Sequence, residues 1–331
     1  DPLTFTTDDY DLNLSGVNLN AVGEITFDTG SGSLSLGSIG SKGTVTELII
    51  KDAGSLNLHG DINLVGALGY DFSNVGAINL HKDMTFGSQD LPTIVNFGDA
   101  DINGTFDLNI YSDDLTLGEI GSIEALQDLN IFSTSDLVFD HSINLVGNAN
   151  ITANKISVNN EIRSTGLDIN LNAVSDISMS KDATLYADYG NIALDSETGN
   201  IGLAALTAER GGVTIKSHTG YINNAIGDYV SNDDASSNIT SNNLTLLGKV
   251  RVGDSVANPI VIDIEDNGVI SAESDGNIYI ANRNNAGINS QGRVIDTTSK
   301  SGTAIIDAFN LIQSTSMNSL IEPNYKTTLG L

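Results

Sequence analysis

The chain has 331 residues, 40% of them hydrophobic but only 5% aromatic, with no Trp and no Cys, and 42 acidic against 14 basic residues give a formal net charge of −28. The lack of cysteine excludes disulfides and thiolate metal or redox chemistry, and the scattered Lys and Arg argue against nucleic acid as a partner, which needs a concentrated basic surface. No apolar run is long enough to span a bilayer, and Asp1-Pro2-Leu3-Thr4 lacks the features of a signal peptide and reads as cut from something longer.

The first element, Leu12-Asn13-Leu14, returns as Leu34-Ser35-Leu36, Leu56-Asn57-Leu58 and Ile78-Asn79-Leu80, four apolar-polar-apolar triplets 22 residues apart. A period of this size means one small unit copied and stacked. Two copies extend further: Leu56 to Leu64 aligns without a gap on Ile78 to Phe86, with His59-Gly60-Asp61 against His81-Lys82-Asp83. Side chains alternate along a strand, so Leu56 and Leu58 are predicted inward, and Asn57 and His59 outward. Strand, turn, strand, turn within some two dozen residues is one coil of a parallel β-helix, and the expectation is an all-β, right-handed parallel β-helix solenoid with coils of about 20–24 residues. The narrow aliphatic interior fits the low aromatic content. Thirty-four Gly supply the corners, and only four Pro interrupt the ladders.

Val17-Leu19, Ile25-Phe27, Val45 and Leu48-Ile50 are predicted to fill the intervening inward positions, and Gly87 to Phe97 a longer excursion. The pattern resumes at Ile102, Phe106-Leu108-Ile110, Leu115-Leu117 and Leu129-Ile131. Ile143-Asn144-Leu145-Val146-Gly147 then repeats Ile62-Asn63-Leu64-Val65-Gly66 word for word at a spacing of 81, close to four coils. From Leu167 to Ile222 the strands come faster: Leu167-Ile169-Leu171, Ile177-Met179, Leu185, Ile192-Leu194, Ile201-Leu203, Val213-Ile215. Asp228 to Asn243 is polar and reads as a loop.

Leu244-Thr245-Leu246-Leu247-Gly248, then Val250-Arg251-Val252-Gly253-Asp254-Ser255-Val256-Ala257-Asn258-Pro259-Ile260-Val261-Ile262-Asp263, then Ser271 to Ile280 ending in Gly276-Asn277-Ile278-Tyr279-Ile280 resemble the shaft of filamentous-haemagglutinin-like exoproteins of the two-partner secretion family. Gly190-Asn191-Ile192-Ala193-Leu194 is similar in style. The resemblance implies a large bacterial surface or secreted protein, exported through an outer-membrane secretion partner by a region outside this chain. Its roles would be adhesion, biofilm or filament formation, or the stalk of a contact-dependent toxin.

Beyond Arg293 the character changes. Ala304 to Ile312 places Ile305, Phe309 and Ile312 on one helical face, though strands fit equally, and Ser314 to Leu331 looks like an end. The domain reading is therefore a parallel β-helix shaft over 1–300 and a terminal or capping segment over 301–331, which could also continue the shaft.

For chemistry, no catalytic or cofactor-binding residue stands out. His59, Asp61, His81 and Asp83 would stack on successive coils about 4.8 Å apart and form the nearest approach to a zinc or nickel set. The alternative is that they are solvated residues copied with the repeat. Asp99-Ala100-Asp101, Asp113-Asp114 and Asp233-Asp234 could offer loop oxygens to calcium, but none has the spacing of a known calcium loop. Asn13, Asn103, Asn150, Asn238 and Asn243 head N-x-Ser/Thr sequons. Parallel β-helices also carry polysaccharide lyases and hydrolases; the absence of Trp, on which such grooves stack sugar rings, tells against that class. Thr44-Val45-Thr46 alone is too little for an ice-binding ladder. The reading is a non-enzymatic extracellular shaft at the bacterial cell surface, roughly 60–70 Å long at about 4.8 Å per coil. Its partners would be a surface glycan or protein of a host or neighbouring cell, with self-association possible.

Overall fold

The structure is a computed structural model and describes residues 2–43, 45–65, 69–227, 237–264, 268–282, 293–300, 302, 304–308 and 311–313. The chain divides into two compact units, Asp1–Asn154 and Lys155–Leu331. Each is a parallel β-solenoid, and no helix occurs among the described residues.

In the first unit the 22-residue triplets are the wall. Leu12 pairs with Leu34, Leu34 with Leu56, Leu56 with Ile78 and Ile78 with Ile102, all in parallel register, and the column runs on through Ile120 to Ile143. A second inward column runs Ile25, Leu48, Tyr70, Val95, Leu115, and a third Met84, Leu108, Leu129, Ala149. Apart from Leu12, the members of all three columns are buried, most of them without measurable exposure. Each fully buried Leu or Ile removes enough apolar surface from water to contribute about 1.5–3 kcal/mol. Where the interior widens, aromatics fill it: Tyr70, Phe72, Phe86 and Phe97 pack with ring centroids 5.0–6.2 Å apart.

Several expected positions differ. Ile62 bridges Ile39, whereas Ile143 belongs to the Leu12–Ile78 column, so Ile62-Asn63-Leu64-Val65 and its copy at Ile143 lie on different sides of the coil; Gly66 lies outside the described residues. Local composition repeats there without the register repeating. Val17 is 41% exposed because it sits at a corner before the wall resumes. The excursion after Gly87 is only a tight turn in which Ser88 and Leu91 exchange backbone hydrogen bonds. Thr93–Asn96 is already wall strand, with Thr93 and Val95 inward and Ile94 outward. Spacing along the first column runs from 18 residues (Ile102 to Ile120) to 24 (Ile78 to Ile102).

The second unit has three columns of its own. Ile156, Ile177, Ile201, Ile222, Val252 and Ile278 form one. Ile169, Ile192, Val213, Leu244 and Ile270 form another, and Ile162, Leu185, Leu206, Ile239 and Ile262 the third. Spacing runs from 21 residues (Ile192 to Val213) to 33 (Leu206 to Ile239), wider than the expected coil, and the register shifts between Ala208 and Gly212. Leu167 is 46% exposed at a corner and Ile169 begins the wall. Ala304–Ala308 is a strand pairing with Ile278–Asn282, and Leu311–Gln313 pairs with Arg293–Ile295, so the wall continues there rather than turning helical: the open edge offers backbone partners that an isolated helical turn would lack. The region assigned to a cap from Ser314 onward, Phe309, Thr44 and the Asp233-Asp234 pair lie outside the described residues.

Candidate functional surface

With the interior filled, chemistry is confined to outward side chains and corners. Two devices recur there. The first is an Asp or Asn whose side-chain oxygen accepts the backbone N–H of a residue one coil later. In the first unit Asp9 serves Ser31, Asp11 Ser33, Asp83 Asp107, Asp107 Asp128 and Asp128 Asn148. In the second Asp168 serves Asn191, Asn191 Gly212, Asp176 Asn200 and Asn200 Tyr221. Corners interrupt the strand ladder, and these oxygens satisfy donors that would otherwise need water.

The second device is a serine column, Ser196 over Ser217, then Gly248, Ser274 and Ser299, of which Ser196, Ser217 and Ser274 are buried. Ser217 Oγ accepts the N–H of Gly220 at 3.1 Å and donates to the Gly199 carbonyl at 2.7 Å, joining its own corner to the one before. Ser299 does the same with Gly302 and Gly276. Gly220 has to be glycine because a Cβ would stand 2.4 Å from the Gly199 carbonyl oxygen. Sequence reasoning missed this column; its trace is Ser-x-x-Gly at Ser196–Gly199, Ser217–Gly220 and Ser299–Gly302.

Outside the serine column lies a shallow depression of about 170 Å³ lined by His218, Lys249, Glu273, Asp275 and Lys300 among others. Lys249 Nζ is 2.6 Å from Asp275, Lys300 Nζ 2.9 Å from Glu273 and 3.2 Å from Asp275, and His218 Nε2 2.9 Å from Asp195. Hydrogen bonds from Lys249 and Lys300 hold the Asp275 carboxyl below its usual range, and those that Lys300 donates to Glu273 and Asp275 hold Lys300 above its own. Asp275 and Lys300 are thereby favoured in their charged forms, which suits ionic contact.

The four metal candidates are not one cluster. His59 and His81 stack face to face, centroids 4.0 Å apart and planes 6° from parallel. Imidazole lone pairs lie in the ring plane, so stacked rings aim them along parallel lines rather than at one ion. Asp61 instead pairs with Lys82 at 2.5 Å, and Asp83 accepts the Asp107 N–H at 3.1 Å. Partial burial and the charge of His81 lower the His59 pKa. Of the calcium candidates, Asp99 lies 3.6 Å from His141, Asp101 accepts the Ser122 hydroxyl, and Asp113 accepts Thr134 Oγ1 at 2.8 Å. No group of three or more His, Asp or Glu among the described residues is placed to hold a metal ion.

The sequon asparagines divide in two. Asn103 and Asn238 are buried, at 3% and 0%, and Asn150 lies in an amide ladder in which Asn150 donates to Asn130 and Asn130 to Asn109, each at 2.9 Å. Asn13 and Asn243 are exposed. Asn238 is a structural knot: its Nδ2 donates to Leu203 O and Asn224 Oδ1, and its Oδ1 accepts the Val261 N–H.

Three arginines lie over tyrosine rings, invisible to sequence reading because the partners are a coil apart: Arg163 over Tyr186, Arg210 over Tyr189 and Arg251 over Tyr221, at 4.5, 4.3 and 4.1 Å from the centroids. No helix of the described residues is long and apolar enough to cross a membrane, which says nothing of a β-barrel. Comparison with protein-family models, with curated proteins and with solved structures gives no significant match to this chain.

Proposed function

We propose that this chain is a structural and adhesive shaft segment of a bacterial exoprotein, working outside the cell in adhesion, biofilm or filament formation, and that it is not an enzyme. The observation that carries this reading is the use made of its polar side chains. Outward Asp and Asn residues cap the next coil's amides, and serines clasp one corner to another. The charged depression is neutralised pair by pair. Such a surface holds coils together and offers shallow, repeated contacts, which suits weak multivalent attachment better than turnover. The resemblance of residues 244–282 to haemagglutinin-like shafts supports the same reading, with a surface glycan or protein as partner. The test is retention of beads coated with the purified chain on epithelial and bacterial cell layers, against beads carrying a β-solenoid of matched net charge. Greater retention of the test beads is expected; equal retention would reduce the role to that of a passive spacer.

A further inference from the structure

The three arginine–tyrosine stacks of the second unit are not equivalent. Arg163 is bound by Asp188 at 3.2 and 3.4 Å, and Arg251 by Asp254 at 2.6 Å. Arg210 stacks on Tyr189 in the same way, yet no carboxylate among the described residues pairs with its guanidinium. The two acids of that corner are already engaged, Asp188 by Arg163 and Glu209 by the Tyr186 hydroxyl. Arg210 is exposed, and Tyr189 is 59% exposed. A guanidinium held over a ring loses little freedom on forming two parallel hydrogen bonds. The uncovered part of the tyrosine offers an apolar surface beside that guanidinium. In a chain of net charge −28, Arg210 is a cation held over a ring with no carboxylate partner among the described residues.

We propose that Arg210 and Tyr189 form a docking point for a carboxylate-bearing sugar, a uronic or nonulosonic acid residue of a surface glycan, with Arg210 taking the carboxylate through its fork and Tyr189 lying against the pyranose ring. This rests on the adhesive reading above and names the ligand class for it.

The test is calorimetric or saturation-transfer binding of the full chain to 3′-sialyllactose and to a glucuronate-terminated disaccharide, with lactose as the uncharged control. The wild type is compared with Arg210→Gln, Tyr189→Ala and Tyr189→Phe, all checked for unchanged denaturation midpoints. The expected result is a preference for one acidic sugar over lactose of about tenfold or more, abolished in Arg210→Gln, weakened several-fold in Tyr189→Ala and kept in Tyr189→Phe, as loss of a charge-assisted bidentate contact requires. The two acidic probes separate uronic from nonulosonic recognition. Equal binding by Arg210→Gln, no preference over lactose, or no binding of either acidic sugar would overturn the proposal. Bead retention separates it from the parent reading: if Arg210→Gln beads are retained like wild type, the docking point fails and adhesion stands, whereas loss of retention in the wild type itself removes both.

Discussion

Asp107 accepts the backbone N–H of Asp128 at 3.2 Å while its own N–H is held by Asp83 at 3.1 Å, so three carboxylates stand in file on successive coils. Partial burial first, then the charges of Asp128 and Asp83, raise the Asp107 pKa. A carboxyl whose pKa is raised by folding is disfavoured in its charged form, so stability falls as pH rises from the unfolded value through the folded one. Replacing Asp107 by Asn keeps the accepting oxygen and removes the charge. Asp107→Asn is expected to be more stable than wild type at pH 7 by about 0.5 kcal/mol, with the difference disappearing towards pH 3. Asp107→Ala, which leaves the Asp128 N–H without its acceptor, is expected to be less stable at both. Urea midpoints at the two pH values decide between these outcomes.

The stacked imidazoles give a second pH signature. His59 is expected to titrate below the ordinary value of 6.5, read from its ring proton shifts by NMR. His81→Ala is expected to move the midpoint only part of the way back, because burial is the larger cause. A lowered base contributes stability above pH 6.5 that is lost on acidification, so wild type should lose more than His59→Gln between pH 7 and pH 5. A His59 midpoint above 6.5 would show that the stack does not persist in solution.

Ser217 joins two corners through its buried hydroxyl. Ser217→Ala removes both bonds and strands the Gly199 carbonyl and Gly220 amide, at an expected cost of about 1–3 kcal/mol. Ser180→Ala, which removes one exposed bond to the Asn159 carbonyl, is expected to cost under about 0.5 kcal/mol. Equal denaturation midpoints for the two variants would show that the serine column adds nothing.

The Tyr186 hydroxyl is hydrogen-bonded to Glu209, which pushes its pKa up to about 12. Ultraviolet titration of the wild type should therefore show a tyrosine ionising well above the usual range, and Glu209→Gln should bring it back towards 10. An unchanged titration curve would mean that the pair does not form.

The repeat was legible because the inward positions of this wall are aliphatic, so the Leu12–Leu34–Leu56–Ile78 column survives as a 22-residue rhythm. Where Tyr70 takes an aliphatic's place, or a coil lengthens as between Leu206 and Ile239, the rhythm is lost to the eye although the strands still pair. Polar function was harder to read. Ser217 is buried, but Ser before Gly reads as an ordinary turn. Tyr189 and Arg210 meet only because Ala187 pairs with Ala208. The identical pentapeptides at Ile62 and Ile143 misled for the opposite reason: similar strand chemistry suits any wall of the coil.

The capping oxygens all point one way along the chain. In each pair described, the acceptor belongs to the earlier coil and the amide to the later one. A finished coil therefore carries a row of side-chain acceptors for amides not yet in place, while the incoming coil returns backbone carbonyls to amides of the finished one, as Asp28 does to Thr7 and Asp107 to Met84. Assembly on such a template has a built-in polarity: each layer is a printed form for the next one towards the C-terminus. A chain delivered N-terminus first would meet these acceptors already in place at every step.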